Sequence, residues 1–529
     1  MNKKTKYGSE ARKNILSGVN KIVAAIKPTL GPMGRNVCIS QSMVVDYGVH
    51  SLPISITKDG VTVARAFDLD DPFEKPGVLL VKEACQKTVD EAGDGTTTCA
   101  VLLEAIATEG IRLIDEGANP MELKRGIDDA VKFVVQELNK MATPIKGNVE
   151  KIRQIATVSA NNDSSIGDLI AEAFATIGDE GIIDIEASKS TKTEIKLSDG
   201  FKLDKGWVSP YFINNAGKQI CEFEDPLILL YDKRIIHHTQ IITAMEIIMQ
   251  QQRPLLIICE DADEEGLAFL NMNVVKGAFR CCAVKSPGFY DSKREQMEDI
   301  AILTGANYMS DLKGLDIKKI QLSDFGKAKK VIVSKEETVI IGGESNKGSL
   351  ENLLNELRMN LAQAKTEDEK SPIEKRIARL TGGIAVIQVG GATETEMKER
   401  LDRFDDAVLA TKAAISEGYV PGAGTSFIRI NLMPIQTKEN DKSLVVILSA
   451  LQKPLIQICE NAGVSGEEKL TLILSEERNI GYNAKTNKIE DLVESGVIDP
   501  VKVLRCALQN AASAASMILT CEAEICDTL

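Results

Sequence analysis

Apolar residues recur at helical spacing near both ends of the chain and in short unbroken runs through its middle. Ile15, Val19, Ile22, Val23 and Ile26 share one face of residues 9–27, and the same period predicts helices over 76–91, 97–115 and 121–140. Between the first two, Val37 to Val63 reads as strands and turns, with the run Leu52-Pro53-Ile54-Ser55-Ile56-Thr57 inside it. The texture changes near Pro144. Beyond it, Ile182–Ile185, Leu227–Tyr231, Pro254–Ile258 and Val331–Val333 read as strands, alternating with helical patterns over 239–252 and 263–278, as in an α/β domain. Residues 349–380 predict a charged helical hairpin, and the chain turns helical again from 402, interrupted at Gly418–Gly424 and Ile480–Pro500.

Two of the middle helices carry apolar faces: Ile241, Ile242, Met245, Ile248 and Met249 on one, Leu267, Leu270, Val274 and Val275 on the other. Periodicity alone favours core packing. The functional alternative is an exposed apolar groove in which methionine adapts to varied partners.

Gly93-Asp94-Gly95-Thr96-Thr97-Thr98 is the most informative polar stretch. Two glycines let the backbone approach a ligand, and the threonines open a helix through Val101, Leu102, Ile106 and Ala107. Free N–H groups and the positive end of the helix dipole then face an anion. Asp94 would repel a bare phosphate unless Mg²⁺ lies between them. The plain reading is a capped helix after a glycine turn.

Composition narrows the classes. The 529 residues suit two to four domains, and 77 acidic against 63 basic residues give a formal net charge of -14. That charge disfavours nucleic acid and anionic membranes as partners, and 4% aromatic residues argue against base stacking. Eleven cysteines show neither C-x-x-C nor zinc spacing, so reduced cytosolic thiols are expected. With only His50, His237 and His238 present, a histidine-based triad is excluded as a working idea, and His237-His238 reads as a surface turn. The charged N-terminus leads into an amphipathic segment without signal-peptide character, and no run is long enough to span a bilayer, which points to the cytoplasm.

Other polar-glycine clusters lie at predicted element boundaries: Thr29-Leu30-Gly31-Pro32, Lys58-Asp59-Gly60, Gly422-Ala423-Gly424 and Asp499-Pro500. Gly343 and Gly348-Ser349 have Walker A glycine spacing but lack the lysine, so a loop is expected there. Asp405-Asp406 is placed at the opening of a helix through Ala407, Ala410 and Ala413, where acids ordinarily face the dipole. The alternative is that Asp406 orients a water for attack on a γ-phosphate.

Taken in order, TLGPMGRNV, TKDGVTVAR, AGDGTTT, NPMELKRGID, SANND, GWVSPYFIN, AVKSPGF, TGGIAVIQVGGATETEMKER, GYNA and VIDPVKV resemble the bacterial group I chaperonins of the GroEL type, from Gly8 to Cys521. The resemblance implies a multidomain α and α/β fold: a mostly helical equatorial ATP-binding domain (1–143 and 418–529), a small intermediate hinge domain (144–199 and 384–417), and an inserted α/β apical domain (200–383). It implies nucleotide contacts at Thr29, Leu30, Gly31, Pro32, Lys58, Asp94, Gly95, Thr96, Thr97, Thr98, Ala423, Asn483, Ala484 and Asp499, with Asp94 as the Mg²⁺ ligand. K⁺ joins ATP and Mg²⁺ as an implied cofactor. Asp59 and Asp406 match the catalytic carboxylates, and Pro144 with Gly418, and Gly200 with Gly383, match the hinges. Trp207, Tyr211, Phe212, Ile242, Met245, Leu267 and Met272 match positions that hold non-native polypeptides and a co-chaperonin. A heptameric homo-oligomeric ring, single or double, is implied.

The chain departs from that pattern at several points. Ala423, after Pro421, replaces the middle glycine of a GGG, and Lys485 replaces a small residue beside the expected base. Asn271 occupies an apolar groove position, Ser42–Ser55 is lengthened, 431–442 is shortened, and Ile456 replaces a charged ring-contact residue. Such changes suit a divergent member, a specialised paralogue or a phage-encoded one. The leading expectation is an ATP-driven folding chaperonin. The rivals are a chaperonin-like scaffold ring with weak or uncoupled ATPase, and a metabolic ATPase or kinase, for which no P-loop exists.

Overall fold

A computed structural model describes residues 2–40, 42–45, 48–51, 55–145, 147–160, 162–178, 181–188, 190–288, 290–344, 347–363, 373, 376, 377, 380, 383–431 and 442–528. The chain divides into two compact units. One comprises Met1–Ala175, Ala187–Lys192 and Val389–Leu529, and the other Thr176–Glu186 and Thr193–Gln388. The segments expected to form the intermediate domain are shared between them.

The first unit is a helical core with small sheets at its margins. Gly8–Ile26, Lys75–Ala92, Thr96–Asp115, Pro120–Met141, Lys442–Ala450 and Val501–Leu519 converge on one apolar cluster. Val501–Leu519 is buried on nearly every side. Ala507, Ala511, Ala514 and Ala515 keep it thin enough to lie against Thr96–Asp115, where a β-carbon on Gly110 would come within 2.6 Å of Leu519. The helix Pro120–Met141 starts where Asn119 Oδ1 accepts from the N–H groups of Met121 (2.9 Å) and Glu122 (3.2 Å), with proline in the first turn. The chain ends meet as an antiparallel ribbon, Asn2–Tyr7 against Ala523–Thr528. Lys442–Asn461, long and apolar enough by composition to cross a membrane, breaks into two helices and is mostly buried.

Two expectations are corrected here. The strand reading ends too late, because Val61 and Val63 belong to the helix Gly60–Ala66. Asp59 caps that helix, and the cap outweighs the local strand preference of β-branched residues. Asp405-Asp406 does not open a helix: the helix runs Glu394–Glu417, capped by Thr393, so both acids lie mid-helix and the dipole-partner reading fails. Leu52, Pro53, Ile54, most of the shortened 431–442 segment and most of 364–382 fall outside the described residues, as does part of the Gly343–Gly348 loop. Of the expected charged hairpin, the helix Lys347–Gln363 is described.

The second unit holds two sheets. Cys281–Lys285, Leu255–Cys259, Leu227–Tyr231 and Tyr308–Met309 pair in parallel in that order, and Gly326–Lys327 adds antiparallel to Leu227–Tyr231. LILLY and LLIIC are buried at every position, as strands covered on both faces require. The other sheet has six strands, ordered Ile182–Ala187, Gly383–Val389, Glu194–Leu203, Thr338–Ile341, Lys330–Val333 and Cys221–Glu224. Lys330 Nζ ties distant strands of this sheet together, reaching Asp184 (2.8 Å), Glu186 (3.0 Å) and Glu222 (3.0 Å).

Candidate functional site

Within the first unit, loops and helix ends from several regions of sequence enclose one cavity. Thr29, Leu30, Gly31 and Pro32 form one wall at the end of the turn Lys27–Thr29, which Asn461 Nδ2 secures by donating to the carbonyls of Lys27 and Leu30, both at 2.9 Å. Thr29 Oγ1 lies 3.1 Å from Thr97 Oγ1 and so joins that wall to the next. Lys58 and Asp59 precede a helix, and Asp94 follows one. Asn483, Ala484 and Lys485 come from the hairpin Ile480–Asn483/Lys488–Asp491. Asp499 comes from a strand paired with Tyr419–Pro421, which puts it opposite Val420 and beside Ala423. Every residue expected to contact nucleotide, together with Asp59 and Asp406, lines this cavity.

The chemistry of the walls is polarised. Gly93 (φ 78°) and Gly95 (φ 95°) are both left-handed, a conformation that glycine adopts without strain, and they turn the chain into the helix Thr96–Asp115. Gly95 at its N-cap has no side chain to cap that helix, so the first-turn N–H groups of Thr96, Thr97 and Thr98 are left to the cavity as an anion site. Carboxylates crowd the same end. Asp59 is held by the N–H groups of Val61 (3.0 Å) and Thr62 (2.8 Å) and by the Thr62 hydroxyl (2.6 Å). Asp94 Oδ1 accepts from the Gly95 N–H at 2.5 Å.

Burial pushes the Asp94 carboxyl up, the nearby Asp59 adds to this, and the Gly95 N–H opposes it. Asp406 is driven well above the usual carboxylate range, first by burial and then by Asp94 and Asp59. Asp499 is pushed up to about 7 by burial and by Asp94. Lys58 is held below the usual lysine range by burial and by Arg403, another cavity residue.

That crowding of negative charge fits a bound divalent cation. The donors are hard carboxylate oxygens, as Mg²⁺ prefers. Among the described residues no group of three His, Cys, Asp or Glu side chains is placed to hold an ion by itself. A cation there would therefore complete its shell with water and with oxygens of a bound anion.

The profile of the TCP-1/cpn60 chaperonin family matches residues 22–528. The chain belongs to that family. Among solved structures it is similar to the chaperonin gp146 from the bacteriophage EL 2 (Pseudomonas aeruginosa), determined in the presence of ATP-BeFx in two crystal forms. Crystal form II gives a TM-score of 0.68 and crystal form I gives 0.61, each at 22% identity over 99% of both chains. At that identity the likeness speaks for the fold.

In the second unit of this chaperonin the structure divides the residues expected to form an apolar face. Tyr211 (63% exposed), Met272 (54%) and Ile242 (37%) are open to solvent, and Trp207 and Leu267 are half-buried. Phe212 and Met245 are not exposed as the groove expectation requires. At 2% and 3% exposure they pack into the core of the second unit with Ile241, Ile248 and Leu270. Helical spacing places Ile242 and Met245 on neighbouring positions without saying which side of the stripe meets the sheet. Met249 and Val275, which belong to the two apolar faces but not to the positions that the resemblance matches, are exposed on the same two helices. Asn271 Oδ1 and Trp207 Nε1 are buried without a hydrogen-bond partner among the described residues. His237 and His238 are exposed, as expected of a surface turn, and both rings meet the Glu265 carboxylate, His237 Nδ1 at 3.0 Å.

Arg403 is one of several cavity residues that sequence reading missed, with Ser159, Asn162, Glu399 and Asp402. An arginine within MKERLDRFDD reads as part of a solvated helical face. Its spacing of three residues before Asp406 was the available signal.

Proposed function

We propose that this chaperonin binds ATP with Mg²⁺ in the cavity, hydrolyses it, and couples that cycle to the capture and folding of non-native polypeptides in the cytoplasm. The convergence of Asp59, Asp94 and Asp406 at the uncapped start of Thr96–Asp115 carries this reading.

In this account the first-turn N–H groups and Lys58 hold the phosphates, and the side of the cavity bearing Leu30, Ala484 and Ile458 takes the base. Asp94 would hold Mg²⁺, which would supply charge neutralisation for the phosphate oxygens. Asp59 stays fixed by its three hydrogen bonds and Asp406 positions the attacking water. The water oxygen bonds to the terminal phosphorus as the bond to the bridging oxygen breaks. The leaving diphosphate keeps that electron pair, and the water proton passes to Asp406. K⁺, if bound, would add positive charge for the phosphates.

The proposed arrangement has three parts: 1–143 with 418–529, 144–199 with 384–417, and 200–383. Pro144 with Gly418 and Gly200 with Gly383 act as hinges. Gly418 has φ 82° and stands beside the Thr143–Tyr419 bridge, and Gly200 and Gly383 both lie on the strand pairs of the six-stranded sheet. Tyr211, Ile242, Leu267, Met272 and Trp207 receive exposed hydrophobic chain, and a co-chaperonin competes for the same face. The assembly is a heptameric homo-oligomeric ring, single or double. ATP shifts the capture state only through tighter binding to the release state.

The test is aggregation of a chemically unfolded protein with and without the assembly, then with Mg²⁺ and ATP. Suppression without nucleotide and recovery of native protein with ATP are expected. Suppression that ATP does not relieve would favour the scaffold ring.

A further inference from the structure

On the reading of the cavity as an ATPase site, we propose that Arg403 is a further catalytic residue, whose guanidinium contacts the terminal phosphate during hydrolysis. Four observations converge on it. Arg403 lines the cavity itself. It precedes Asp406 by three residues on the helix Glu394–Glu417, so both project from one face of that helix. Its Nε is buried and has no hydrogen-bond partner among the described residues, while its terminal nitrogens are steered by Glu399 and, at 4.0 Å, by Asp163. The fork is therefore held in place with its Nε–H unspent among the described residues.

The charge balance of the cavity points the same way. Asp59, Asp94, Glu399, Asp402, Asp406 and Asp499 line it, and a nucleoside triphosphate brings further negative charge. Lys58, Arg403 and Lys485 stand against that charge, the first two near enough that Arg403 helps hold the Lys58 ammonium below its usual range. Lys58 comes from the loop before Gly60–Ala66, whereas Arg403 shares a rigid helix with the water-positioning carboxylate. During hydrolysis charge grows on the leaving diphosphate and spreads over the equatorial phosphoryl oxygens. A planar guanidinium donor meets that distribution better than an ammonium point charge. One helix thus delivers both the carboxylate that orients water and the cation that meets the developing charge.

The test uses the full-length assembly and the variants Arg403→Ala, Arg403→Lys and Asp163→Asn. It compares steady-state ATP hydrolysis with calorimetric binding of Mg²⁺–ADP, alone and with aluminium fluoride as a mimic of the transferring phosphoryl group. The expected result for Arg403→Ala is ADP affinity within about threefold of wild type, with kcat and the added affinity for the fluoride complex each falling at least about 100-fold. Arg403→Lys, which keeps the charge and the helix, regains only part of both. Asp163→Asn, which removes one steering contact, loses less than about tenfold.

If Arg403→Ala keeps its preference for the fluoride complex, or if Asp163→Asn loses as much as Arg403→Ala, the arginine is only a helix anchor and the proposal is overturned. A wild type that neither hydrolyses ATP nor prefers the fluoride complex overturns the ATPase reading first, and this inference with it.

Discussion

Gly93 and Leu409 approach so closely that a β-carbon on Gly93 would stand 2.1 Å from the β-carbon of Leu409. This contact seats the helix Glu394–Glu417 on the loop that carries Asp94, one turn beyond Asp406. Gly93→Ala adds the cost of a left-handed alanine, about 1 kcal/mol, to a clash that can be relieved only by moving the helix. We expect hydrolysis to fall more than about tenfold while nucleotide binding, measured by calorimetry, changes little. Equal hydrolysis in the variant would show that this seat has no part in catalysis.

Ala423 holds φ 53° beside Asp499. Ala423→Gly should raise the thermal unfolding midpoint, because relief of about 1 kcal/mol of left-handed strain outweighs the extra freedom glycine gives the unfolded chain. An unchanged or lower midpoint would mean that the alanine methyl packs well enough to offset its strain.

Much of the cavity was legible because its residues sit in short polar-glycine clusters, and the order of motifs from Thr29 to Asp499 tied them together. The helical segments of the first unit were legible too, since Ile15 to Ile26 and the stretches after Lys75 carry an unbroken helical period. What failed was local. Asp405-Asp406 looked like a helix start because Ala407 opens an apolar run, yet the charged residues before it continue the same helix to Thr393. Met245 and Ile242 could not be separated, because burial depends on the sheet beneath them and not on their spacing.

That separation gives its own prediction. Met245→Ala should destabilise the second unit by about 2–5 kcal/mol, as a truncated core side chain does, with its effect on polypeptide capture following only from unfolding. Met272→Glu, at an exposed site, should leave the melting curve nearly unchanged and weaken capture of an unfolded protein. Thermal melts and a binding titration on both variants distinguish these outcomes. Capture unaffected by Met272→Glu would remove this face from the account.

Glu524 is 5% exposed and lies on the terminal ribbon, and burial with nearby Asp71 pushes its carboxyl up to about 7, against the opposing charge of Lys6. Its folded form keeps a proton that the unfolded chain releases near the ordinary value of 4.5. Its contribution to stability is therefore intact below about pH 4.5 and is lost progressively as the pH rises to about 7. Glu524→Gln should raise stability at pH 8 by about 1–3 kcal/mol and have little effect near pH 4. Denaturation midpoints at the two pH values check the sign, and a larger gain at the lower pH would contradict it.

The most direct measurement is Mg²⁺-dependent ATP hydrolysis by the purified assembly beside Asp406→Ala, with ATP binding followed in both. The expected result is steady hydrolysis by the wild type, and in the variant binding within a few-fold but a rate reduced at least about 100-fold. An inert wild type, or a variant that hydrolyses ATP as fast as its parent, would contradict the account.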